Sequence, residues 1–206
     1  MAFFSCLAVL HLFPSFAKVL VNPDAGYYLS ISRDVMEGAT PTVDVATSYP
    51  PLFYYLYTVW FKLIGTEYSR ALLLIYLVHV INCFLLYLVL NSFVKERLLR
   101  VVLCFPYFYS TMVLEGYYIE LEPFQVLFAL LAYLVCLKNL SPLIKHAIIG
   151  FFLSCSIMVK QYSLFLFFGF LVSFWYDLRE KENGRSISWR TLVTTIFFFV
   201  ALNSVR

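Results

Sequence analysis

Long apolar runs separated by short polar punctuation organise this chain. The first run covers about 2–21 and is interrupted by His11, Pro14 and Lys18. It has no basic leading region and no A-x-A cleavage site, so it reads as a retained first helix rather than a signal peptide. Residues 22–51 turn polar. Within them, 25–37 sets Tyr28, Ile31 and Val35 at helical spacing, which predicts an amphipathic helix on a membrane surface, ended by Gly38 and Pro41. The run 52–64, LFYYLYTVWFKLI, is too short to cross a bilayer and has the aromatic character of an interfacial segment. After Gly65, 69–90 is a full-length span. Further spans are expected at about 101–114, 123–138, 146–159, 162–177 and 191–205. The expected fold is all-α: one polytopic transmembrane module over 1–206, with about seven spans and interfacial helices in the first outer loop.

Composition agrees with that reading. Of 206 residues, 62% are hydrophobic and 13% charged, with 22 Phe and 16 Tyr. A soluble domain carries about 25% charged residues. The mean hydropathy is +0.83, so too little polar surface exists to cover a soluble core. Disorder requires low hydrophobicity. A nucleic-acid partner requires a basic stripe that a net charge of +3 does not supply.

Charge sets the expected orientation. With the N-terminus inside and 52–64 not crossing, the inner loops 91–100, 138–145 and 178–190 hold nine of the 15 basic residues, from Lys95, Arg97 and Arg100 to Arg190. The outer segments 22–51 and 115–122 hold Asp24, Asp34, Glu37, Asp44, Glu115, Glu120 and Glu122 against one Arg33. This obeys the positive-inside rule, and a crossing 52–64 would break it. The sequon at Asn139 then falls in an inner loop, where it is expected to stay unmodified. Cys6, Cys83, Cys104, Cys136 and Cys155 lie in apolar runs with no CxxC pair, and read as packing residues. His11, His79 and His146 are scattered, which argues against a zinc site.

The candidate chemistry lies on the acidic outer side. Asp24 follows the first apolar run closely, where it serves as an N-cap of the surface helix, as a functional carboxylate, or as both. Glu120 and Glu122 are two residues apart. In an extended stretch they would point the same way toward one metal or cation. Otherwise they are first-turn glutamates favoured by the helix dipole. Lys160-Gln161 stands between apolar runs at the outer side, as a functional cation or as a snorkelling lysine. No GxGxxG, GxxxxGK[ST], HExxH or GxSxG motif occurs, so nucleotide-phosphate and nucleophilic chemistry have no support.

Taken in order, the first apolar run, Pro23-Asp24-Ala25-Gly26-Tyr27-Tyr28, Gly38, Pro41, Ser48-Tyr49-Pro50-Pro51-Leu52, Gly65, Arg70 and Met158-Val159-Lys160-Gln161 resemble the GT-C superfamily of polytopic glycosyltransferases. That superfamily includes protein O-mannosyltransferases and aminoarabinose transferases. The resemblance covers most of the chain and corresponds to the superfamily's shared seven-helix module; members usually carry more helices and often a soluble C-terminal domain. It implies a multi-pass protein with its site on the outer or lumenal face; the charge pattern puts the N-terminus in the cytoplasm. The implied reaction moves a sugar, with inversion, from a polyprenyl-phosphate donor in the bilayer to an acceptor hydroxyl. It implies Asp24 as the catalytic base, Glu120 or Glu122 as a second acidic site, and Lys160, with Arg33 behind it, as the donor-phosphate cation. In some relatives a divalent metal takes part, for which Asp24, Glu120 and Glu122 are the candidate ligands. Tyr27, Tyr28 and Tyr49 are candidates to line the sugar pocket. The competing expectation is a non-catalytic membrane subunit, a transporter or an inactive fragment of such an enzyme. No internal repeat of the kind common in transporters is present.

Overall fold

The computed structural model describes residues 23–109, 118–138, 140–165 and 168–170. The expected first helix at 2–21, Glu115, Asn139, the basic loop 178–190 and the span at 191–205 lie outside the described residues, as does most of 162–177. Among the described residues there are helices and no strands. They are α1 (Pro23–Met36), α2 (Leu52–Ile64), α3 (Tyr68–Leu90), α4 (Arg97–Phe108), α5 (Glu122–Cys136) and α6 (Pro142–Val159). The chain forms two units, residues 1–160 and 161–206. The second opens with a 3-10 turn, Gln161–Ser163. All six helices belong to the first.

Sequence punctuation accounts for several of the helix ends. Gly38 takes a φ of 112° just after α1, where only a residue without Cβ is unstrained. Its N–H meets the Val35 carbonyl. Gly65, at φ 108° and ψ 169°, ends α2. Glu122 and Pro123 open α5, and Pro142 opens α6; proline is tolerated in a first turn because that turn's N–H groups have no helical partner. The boundaries of α2, α3 and α5 fall within two residues of the expected ones. Helices α4 and α6 each begin four residues earlier than the apolar runs at 101 and 146. Arg97 and Lys145 fit as amphipathic first-turn residues, which hydropathy alone discounts.

Helix α3, with 23 residues, is long and apolar enough to cross a membrane; α2, α5 and most of α6 are apolar but shorter. Leu73, Leu77, Ile81, Phe84 and Leu88 remain exposed along α3 at the spacing of one helix face. The opposite face packs on its neighbours. Helix α4 runs antiparallel to α3, with Arg100 over the Tyr87 ring at 5.0 Å and Tyr107 beside His79 and Asn82. Helix α5 runs along α3 in the same direction: Asn82 meets Pro123, and Phe93 meets Tyr133 at 6.3 Å. Helix α6 returns antiparallel to α5, with Ser156 at Gln125 and Lys160 at Glu122. Lys95, Arg97, Arg100, Lys138 and Lys145 therefore share one end of this bundle, while Glu122 and Lys160 stand at the other. The start of α5 lies level with Asn82, about 20 Å along α3 from Tyr68.

Helices α1 and α2 fill the space above the α5–α6 ends. They run side by side in the same direction: Tyr28 packs on Phe53 at 5.4 Å, the Thr58 hydroxyl donates to the Ser32 carbonyl at 2.9 Å, and Arg33 reaches Thr66. Helix α2 leads from the end of α5, where Phe53 and Tyr57 flank Phe124 at 5.4 and 5.9 Å, to the start of α3, where Trp60 Nε1 donates to the Arg70 carbonyl at 2.7 Å. One expectation changes here. The apolar face of α1, carrying Tyr28, Ile31 and Val35, is not left for lipid. All three side chains are buried, and α2 covers them. The amphipathic pattern records protein packing, which gives the same periodicity as an interfacial helix.

Candidate functional site

The sequence brings charge to the α5 end from three places. On α1, Asp24 sits inside the first described turn and is exposed. It is a first-turn acid favoured by the helix dipole rather than the N-cap the sequence suggests, since Pro23 is already helical. On α5, Glu122 is the first residue. From the end of α6 comes Lys160, whose extended backbone (φ −150°, ψ 123°) stops the helix. Lys160 Nζ pairs with Glu122 Oε1. The side chains are 16% and 34% exposed, so the pair is mostly withdrawn from solvent, where charge attraction is less screened than at a surface. Lys160 Nζ also stands 5.8 Å from the Tyr49 ring centroid, within cation–π range.

Tyrosines surround this pair. Tyr49 meets Tyr28 edge-on at 5.9 Å, and Tyr28 meets Tyr27 at 5.8 Å. Burial, then the neighbouring Tyr49, Asp24 and Glu122, pushes the Tyr28 hydroxyl above the ordinary tyrosine range. One phenol thus feels both carboxylates, Asp24 and Glu122, although they are nearly a hundred residues apart in sequence. Tyr54 lies in the same group: it is fully buried, and desolvation, then Tyr27 and Tyr49, raises its pKa. Its hydroxyl has no hydrogen-bond partner among the described residues. Tyr27 is committed elsewhere. Its hydroxyl donates to the Ala46 carbonyl at 3.1 Å and accepts the Ser48 N–H at 3.2 Å. Tyr27 thereby pins the loop that presents Tyr49.

The other candidates divide. Glu120 is half-buried two residues before Glu122, but Leu121 between them takes a helical backbone (φ −82°, ψ −29°) and is buried. The extended alternation that would aim both glutamates at one ion is broken there. Among the described residues no three His, Cys, Asp or Glu side chains stand together as a metal-ligand set. Glu122 faces an ammonium, which competes for the same lone pairs. The Lys160 ammonium at Glu122 and the helical turn at Leu121 work against Glu120 and Glu122 sharing one cation. Arg33 is not brought to Lys160. It lies nine residues along α1 from Asp24, about 13 Å, and its Nη2 donates to the Thr66 carbonyl at 2.6 Å.

Sequence reasoning missed the direct Glu122–Lys160 pair and the part played by Tyr54. The available signal was that a lone lysine between apolar runs requires a partner. It also missed Asn82, a solitary amide inside the longest apolar run, and Ser156. No protein-family model, curated protein or solved structure matches this chain.

Proposed function

We propose that the chain is a multi-pass membrane glycosyltransferase module, of the GT-C kind its sequence resembles, moving a sugar from a polyprenyl-phosphate donor to an acceptor hydroxyl on the outer or lumenal face. The observation that carries this reading is the Glu122–Lys160 pair beside Tyr49 and Tyr28, at the end of α1 that carries Asp24. Lys160 and Glu122 are mostly withdrawn from solvent, and an apolar chain bears a desolvation cost to keep charge there. The remaining support is topological. The helices α3 to α6 alternate in direction, their basic residues share the far end, and the acids of the reading share the near end, the distribution expected with the basic end cytoplasmic.

In this reading the lipid phosphate approaches Lys160, whose ammonium offsets the charge that develops as the anomeric C–O bond to phosphate breaks. Glu122 orients that ammonium while no donor is bound. The acceptor hydroxyl attacks the opposite face of the anomeric carbon, and its proton passes to the Asp24 carboxylate. Protonated Asp24, the glycosylated acceptor and the lipid phosphate are the products, with inversion at carbon. The Tyr28 and Tyr49 rings and hydroxyls line the sugar side. No step requires a metal. Arg33 stays a structural residue.

The test is transfer from a panel of radiolabelled polyprenyl-phosphate sugars in liposomes containing the protein. Transfer by the parent and its loss in Asp24→Asn, with insertion intact, is the expected result. Transfer by Asp24→Asn at the parental rate, or none by the parent with any donor of the panel, sinks the reading.

A further inference from the structure

Helix α3 carries polar side chains deep in its apolar length: His79 is 3% exposed and Asn82 is fully buried. A buried amide is costly unless it is hydrogen-bonded. Asn82 Nδ2 lies 2.7 Å from the Pro123 carbonyl oxygen and 3.0 Å from the Tyr107 hydroxyl. A carbonyl only accepts, so the nitrogen end of the amide must face Pro123. The Oδ1 end is buried without a partner among the described residues. A leucine at this place would avoid that cost, so the two donated bonds account for the amide. Pro123 adjoins Glu122, and Asn82 therefore ties the turn that carries Glu122 to the middle of α3.

Lys160, the other half of the ion pair, is tied in the same manner. Ser156 is fully buried, and its Oγ donates to the Gln125 carbonyl at 3.2 Å. The Ser156 carbonyl in turn receives the Lys160 N–H at 3.1 Å. Each charged residue thus sits within about one turn of a side-chain-to-backbone bond that crosses between helices: α3 to α5 for Glu122, α6 to α5 for Lys160. A slip of one residue between two helices shifts side chains by about 1.5 Å and turns them by about 100°. Such a slip would separate the ammonium from the carboxylate.

We propose that Asn82 and Ser156 are positioning residues that hold the Glu122–Lys160 pair in register. Their effect on sugar transfer rests on the glycosyltransferase reading; their effect on the pair does not. An amine held by a carboxylate is a poor nucleophile, so its acylation rate reports the pair directly. The probe is sulfo-N-hydroxysuccinimide acetate on the full chain in nanodiscs, with Lys160 followed by peptide mass spectrometry and exposed Lys62 as the internal reference. Asn82→Leu and Ser156→Ala should each speed Lys160 acylation at least about threefold over Lys62, and adding Glu122→Gln to either should give little further gain, because coupled residues are non-additive. Ser156→Thr, which keeps the hydroxyl, should react at the parental rate. Parental rates in both Asn82→Leu and Ser156→Ala, or effects that multiply fully with Glu122→Gln, overturn the proposal. If Asn82→Leu does not accumulate, the Ser156→Ala and Ser156→Thr pair decides alone. Coupling without sugar transfer would sink only the transferase reading, whereas transfer without coupling would sink only this one.

Discussion

The two ends of the α1–α2 layer both gather charge and aromatic rings, yet they are built differently. At the end where α2 meets α3, every cationic contact is local or made to backbone. Arg70 pairs with Glu67 three residues away, Nε to Oε2 at 3.1 Å, and also reaches the Ile64 carbonyl. Arg33 caps the Thr66 carbonyl. These guanidinium groups satisfy carbonyls that the Gly65 turn leaves outside any helix, which is the work of a corner. At the other end, Lys160 reaches a carboxylate 38 residues away, and Tyr28 feels acids on two different helices. Helix dipoles favour Asp24 and Glu122 in their first turns, but nothing local calls for Lys160. The contrast separates arginines that complete a backbone turn from a lysine and carboxylates that the tertiary fold assembles, and only the second arrangement makes a credible site.

The largest expected effect breaks this contrast along the activity axis. On the proposed transferase reading, Asp24→Asn lowers transfer by about 10²–10⁴-fold, the usual contribution of a general base. Lys160→Ala should raise the apparent KM for the lipid donor. Arg33→Gln should leave both parameters within about threefold of the parent. Steady-state kinetics on the three variants checks the ranking. An Arg33→Gln variant as impaired as Lys160→Ala would erase the distinction between the two ends.

Much of this was legible in the sequence, and the limits have physical causes. Helices α2, α3 and α5 could be read because each is one continuous apolar run, with Pro51, Gly65 or Pro123 marking at least one end. The placing of Asp24 and Glu122 on one side was expected from counting charges between the apolar runs. The pairing of Glu122 with Lys160 was not legible, because ion-pair choice depends on the register of α5 and α6, which hydropathy does not encode. The position of Arg33 was not legible for a similar reason: the parallel course of α1 and α2 decides which end of the layer it occupies. The covering of α1 by α2 escaped because an amphipathic stripe does not tell protein from lipid.

Stability tests sharpen the comparison from the corner side. Gly65 holds a backbone region open essentially to glycine, and a Cβ there would run into the Arg70 guanidinium. Gly65→Ala should cost about 1–3 kcal/mol, measured by thermal unfolding in detergent, with no change in donor KM for the protein that remains folded. A change in KM with unaltered stability would mean that the corner belongs to the site.

Alkaline titration should produce a smaller, graded effect centred on the other end. Tyr28 and Tyr54 have folded pKa values raised above the reference of 10.0, burial being the first cause for each. The folded state therefore keeps their protons at pH values where the unfolded chain has released them. The stabilisation is complete below pH 10.0 and declines as pH rises beyond it. Melting temperature should be flat with respect to these groups up to about pH 9 and fall above 10. Tyr28→Phe should make that fall shallower, because one of the perturbed phenols is gone.

The smallest expected effect is Arg70→Ala. Its pair with Glu67 is exposed, 45% and 66%, and spans i to i+3. Exposed pairs of this kind contribute about 0.2–1 kcal/mol, and the exposed bond to the Ile64 carbonyl that is lost with it is replaced by water. The Trp60 bond is made to the Arg70 backbone carbonyl, so it survives the substitution. Arg70→Ala also removes the side chain that a residue-65 Cβ would strike. In the Arg70→Ala background, Gly65→Ala should therefore cost less than it does alone, while the penalty of its positive φ remains. A double-mutant cycle on melting temperature measures that difference. Full additivity would mean that Gly65 is required only for its backbone conformation, and that the guanidinium plays no part in closing the corner.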